Sequence, residues 1–153
     1  MLAIVVTSLS LVLRTARTAW DRAESDYGVL HHAHTVARHF VRQAREASAV
    51  TAHSTNGRSI TLRLRDGNEV SWTFTPGTTG NYSDVVTVGY SSSGEQGPLA
   101  YGIRELNFVG YDANSNITST VEDIQLVKVT VTVGIGRRSA LRNVTSYVWI
   151  RTW

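Results

Sequence analysis

Four of the five histidines in this chain, His31, His32, His34 and His39, crowd into one short stretch, and clustered imidazoles are first of all potential metal ligands. On a helix, ligands must stand three or four residues apart on one face. Only His31 and His34 do so, with no carboxylate on their line and Arg38 beside them, while His32 and His39 project from a different line of the helix. The pattern predicts a solvated polar face and no metal ligand. A second oxygen-rich group invites calcium: Asp112, Asn114 and Asn116 alternate as in a calcium-binding loop, and Asp123 falls at its twelfth position. Ile117 takes the sixth position, where such a loop needs glycine, and Asn and Asp are also what any tight turn selects. A turn is expected there, with calcium as the competing reading.

No other residues assemble into chemistry. There is no cysteine, hence no disulfide, thiolate ligand or thiol nucleophile. No serine sits in a Gly-x-Ser-x-Gly elbow, and Glu122 and Asp123, being adjacent, point to opposite faces of a strand. Gly134-Ile135-Gly136 lacks the third glycine and the following helix of a phosphate-binding loop. Neither a catalytic residue nor a resident cofactor is expected. His31, His34, Arg38, Arg42 and Arg45 form a basic ridge, and Arg137, Arg138 and Arg142 lie near the other end of the chain. A net charge of +3 over 153 residues is too small a bias to argue for a phosphate backbone, so nucleic acid is not an expected partner.

The element that must carry the histidines and the ridge is long. Residues 1–50 read as one helix of about 70 Å at 1.5 Å per residue, more than a domain of roughly 100 residues can cover. Its front, 1–13, holds Leu2, Ile4, Val5, Val6, Leu9, Leu11, Val12 and Leu13 and no charge. Its back, 29–50, is amphipathic, with Leu30, Ala33, Ala37, Phe40, Val41, Ala44 and Ala47 along one apolar stripe. Between them Trp20, Asp21, Glu24, Asp26 and Tyr27 make a polar collar, and Gly28 is the expected site of any bend. The stripe predicts packing on a sheet, and the front then protrudes. A thirteen-residue front, apolar except for Thr7, Ser8 and Ser10, falls short of the roughly 20 residues needed to span a bilayer, and no basic residues precede it as in a secretory signal. Such a front shares its burial with other helices, or is the later part of a longer apolar segment.

From residue 51 to 153 the period changes to two, which predicts a globular antiparallel β domain. Ile60, Leu62 and Leu64, then Asp66-Gly67-Asn68, then Val70, Trp72 and Phe74 spell a hairpin. Further strands are expected around 84–90, 99–111, 124–133 and 144–153, with 91–98 a polar loop and Tyr147, Trp149 and Trp153 on one face of the last strand. One helix followed by strands on short turns is an α+β fold.

The succession resembles the minor pseudopilins and minor pilins of type II secretion and type IV pilus systems, most of all their J-component and PilW-like members. Leu2-Ala3-Ile4-Val5-Val6 looks like the later part of a prepilin's apolar helix, and Arg42, Arg45 and Ala47 are similar to the end of that helix. The segment from Ile103 to Asp112 and the strand from Asp123 to Val129 are similar to two further stretches of the family. The family's glycine-phenylalanine cleavage junction and the glutamate fifth in its mature chain are absent. The resemblance therefore implies an N-terminally truncated prepilin whose start lies upstream. It implies a non-catalytic assembly subunit anchored by one pass in the bacterial inner membrane. The globular domain would stand in the periplasm, and other pseudopilins or minor pilins would be met through the helix, in the tip or priming complex of a filament. The alternative on the residues alone is a membrane-tethered periplasmic module that binds a peptide, glycan or DNA.

Overall fold

The computed structural model describes residues 2–77, 84–135 and 140–150, with the side chains of residues 1–8, Arg22, Ser25 and Ile135 outside the description. Helix α1 runs from Leu2 to Glu46, 45 residues or about 68 Å, and continues unbroken through Gly28. It passes without a loop into strand β1 (Ala47–His53), followed by β2 (Ser59–Leu64), β3 (Glu69–Thr75), β4 (Val85–Tyr90) and β5 (Gln96–Ala100). These five form one antiparallel sheet in chain order. Then come β6 (Ile103–Tyr111), the short β7 (Ile117–Thr118), a single 3-10 turn at Val121–Asp123, β8 (Leu126–Ile135) and β9 (Ala140–Trp149), which make a second sheet in the order β7-β6-β8-β9. The fold is α+β, a long N-terminal helix packed on antiparallel sheets.

The stripe on the back of α1 does the packing. Ala33, Ala37, Phe40 and Ala44 are buried, and Leu30 and Val41 lean on the same core. Small alanines let the helix approach β8 and β9, while Phe40 reaches an aromatic ring from each sheet: Trp72 of β3 at 5.1 Å between centroids and Phe108 of β6 at 5.0 Å. Contacts at the Phe108 backbone help to tie the sheets together. The Phe108 N–H donates to the Gly57 carbonyl (2.8 Å), and His53 Nε2–H donates to the Phe108 carbonyl (3.1 Å).

The hairpin lies where its alternation places it. Ile60 faces Trp72 and Leu62 faces Val70, all four buried. At the turn, Asp66 Oδ1 accepts the Asn68 N–H and Gly67 takes φ 86°, a conformation that favours glycine. Val127, Val129, Val131 and Val133 are fully buried along β8.

Three features depart from expectation. The helix ends at Glu46 and not near Val50, because Ala47 onward pairs with β2 (Ala47 with Leu64, Val50 with Leu62) and the Arg65 N–H caps the Glu46 carbonyl at 3.3 Å. Alanine is a good helix former, so strand pairing here overrides local preference. The polar stretch 91–98 is only partly loop: Gln96 to Pro98 join β5, and the run expected as one strand from 99 to 111 breaks at Gly102, φ 71°, where the chain crosses between sheets. The final strand spans 140–149. Trp153, like Arg137 and Arg138, lies outside the described residues.

Candidate functional site

The side chains of Leu2, Ile4, Val5 and Val6 lie outside the described ones, although their backbone belongs to α1. Leu9, Leu11, Val12 and Leu13 are described, and each is 60–69% exposed. Every described side chain from Leu9 to Glu24 is exposed, Trp20 included, so the sheets cover none of these. Among the described residues no helix is long and apolar enough to cross a membrane by itself.

The histidines separate into two kinds. His31, His32 and His34 are exposed on the polar side of α1. His39 turns inward, where its Nδ1 accepts the Trp72 indole N–H (3.2 Å) and its Nε2 meets the Tyr90 hydroxyl (2.9 Å). An indole nitrogen can only donate, so Nδ1 is unprotonated and Nε2 carries the hydrogen. Both ring nitrogens are thus occupied within the protein. Burial lowers the His39 pKa from 6.5, and the charge of Arg42 lowers it further. The stability this neutral ring contributes is fully present above pH 6.5 and is lost as the pH falls from there towards the folded-state value. In urea titrations the midpoint should therefore drop as the pH falls below 6.5, and His39→Gln should flatten that slope. An unchanged slope in the variant would remove His39 as its source.

In the loop expected as a turn, with calcium as the rival, Asp112 builds the turn. Its Oδ1 accepts the N–H groups of Asn114 and Asn116 (2.8 Å each), and its Oδ2 accepts the Asn116 side-chain amide (3.2 Å). These bonds, the Asn116 N–H first, hold the carboxyl below its usual value of 3.8. Asp123 sits apart in the 3-10 turn. Among the described residues no three His, Asp or Glu side chains converge as a metal group would require.

The basic ridge is real and solvated. His34, Arg38, Arg42 and Arg45 form one bank of a groove, and Val144, Thr145 and Ser146 of β9 form the other, with Glu46 at one end. None of the three arginines pairs with a described carboxylate, and the ion pair between Arg63 and Glu69 (3.3 Å) lies elsewhere, on the exposed face of the hairpin. On the opposite face of the same strand Tyr147 and Trp149 stand 58% and 56% exposed, with the Lys128 ammonium 5.7 Å from the Tyr147 ring. Sequence reasoning missed buried Val36 and the inward turn of half-buried His39. Val36 belongs to the helix stripe, and its spacing from Ala33 and Phe40 would have found it. His39 carried no such signal, because its partners Trp72 and Tyr90 are 33 and 51 residues away.

The long helix packed on antiparallel sheets is a pilin-like architecture. No protein-family model matches the chain, and no curated protein sequence is similar to it.

Proposed function

We propose that this protein is a non-catalytic assembly subunit of the minor pseudopilin or minor pilin kind, whose helix front binds the helices of neighbouring subunits in a type II secretion pseudopilus or type IV pilus. The observation that carries the reading is the division of α1: its back is buried on the sheets, while the domain leaves Leu9, Leu11, Val12 and Leu13 of the charge-free front uncovered. Isolated exposed leucines are ordinary, but a run of them on a projecting helix is a surface for a partner or a lipid phase. Burial against neighbouring helices removes that surface from water, and the charged collar behind it would fix the register by pairing with neighbours. In this proposal the front lies in the bacterial inner membrane before assembly, with the domain on the periplasmic side.

The absence of cysteine makes the test clean, since any introduced thiol is unique. In native membranes, Leu9→Cys and Leu13→Cys should form disulfides with cysteines placed at matching depth in other helix-bearing subunits. Ile117→Cys, at an equally exposed site on β7, should not. Adducts at Ile117→Cys with none at the helix front would refute the assignment. One observation favours the second reading, a tethered binding module: the exposed aromatic pair Tyr147 and Trp149.

A further inference from the structure

Among the described residues the two sheets present four edge strands, and three of them are blunted against pairing with another chain. Strand β1 has two register shifts, β5 carries Pro98 and a register shift, and β7 is two residues long. Strand β9 has none of these protections. Its ten residues pair with β8 in unbroken register from Trp149 opposite Leu126 to Ala140 opposite Ile135, it contains no proline, and it exposes Leu141, Tyr147 and Trp149. A long, regular, apolar edge is a template for an added strand.

What lies beside it selects the strand. The groove along β9 is banked by Arg38, Arg42 and Arg45, exposed and without carboxylate partners among the described residues, against the single acid Glu46. We infer that β9 accepts an extended acidic segment of a partner protein by strand addition. Such a segment alternates, with carboxylates on the side facing the helix ridge and apolar or aromatic residues on the side continuing Leu141, Tyr147 and Trp149. A second copy of this chain is the worse occupant. Antiparallel β9-to-β9 pairing continues the sheet with both helices on one face, which sets two arginine banks against each other. The inference does not depend on the helix front, since a filament subunit and a tethered module would each use this edge, and the test below reads β9 alone.

The probe is an end-blocked ten-residue peptide in which glutamate and valine alternate, added to the full chain in mild detergent. Hydrogen exchange should slow at β9 amides, and calorimetry should show that Arg38→Glu with Arg42→Glu weakens binding about tenfold or more. A lysine-valine peptide should bind at least about tenfold more weakly. N-methylation of every second peptide amide should abolish binding in one register and spare it in the other, because only one edge of the added strand meets β9. Equal affinity for the lysine peptide, or binding without protection of β9, would overturn the inference. Protection of β9 that rises with protein concentration alone, with a doubled mass in sedimentation, would assign the edge to a second copy instead.

Discussion

Phe40→Ala lowers the stability of the folded chain by about 3–5 kcal/mol, a large share of the roughly 5–15 kcal/mol that domains of this kind possess. The residue is fully buried, and its ring is the one that touches both Trp72 and Phe108, so truncation opens a void where helix and both sheets meet. Phe40→Asp should be worse, because it places an unpaired carboxylate in that void, and we expect no cooperative melt at all. For a chain of this length each 1 kcal/mol shifts the melting temperature by roughly 2–4 °C, so the alanine variant should melt roughly 6–20 °C below the parent. A midpoint within error of the parent would mean that α1 does not pack on the sheets through this face.

The second large effect is expected at Gly57, in the turn between β1 and β2. It adopts φ 69°, which costs a side chain about 1–2 kcal/mol, and a Cβ there would stand 2.9 Å from the Phe108 carbonyl oxygen and against the Asn107 side-chain oxygen. The Asn107 amide can swing away, but the Phe108 backbone cannot, because its N–H is bonded to the Gly57 carbonyl and its carbonyl to His53. Gly57→Ala should therefore cost about 2–4 kcal/mol, and Asn107→Ala in the same chain should recover only part of it. Gly67→Ala provides the comparison: it has a similar positive φ with nothing near the added carbon, and only the conformational cost remains. Equal losses at the two glycines in urea denaturation would show that the close approach of the sheets contributes nothing.

Much of this arrangement was legible from spacing alone. Ala33, Ala37, Phe40 and Ala44 announce a helix face by their period, and Ile60 to Phe74 announce a hairpin by alternation around Asp66-Gly67-Asn68, because both patterns are local. What escaped was set by distant partners. Ala47 to His53 continues a helical composition and becomes a strand only because β2 is there to pair with it. The split into two sheets turns on Gly102, a single residue in a stretch that otherwise reads as one strand. At the candidate surfaces, the apolar front and the arginine ridge were visible as composition. The open edge of β9 was not, since edge or centre is a property of sheet order and no residue type encodes it.

The junction at Glu46 and Ala47 has a mechanical consequence. A linker between a tethering helix and its domain would act as slack, each residue extending by up to roughly 3.5 Å before any load arrived. Here there is no linker residue: the helix becomes β1 directly, and β1 is already laced to β2. Displacing or twisting the front of α1 therefore moves the sheets with almost no compliance. Under the proposed assembly role, the domain would take its orientation from the subunits that hold the helix, like a vane fixed to its shaft.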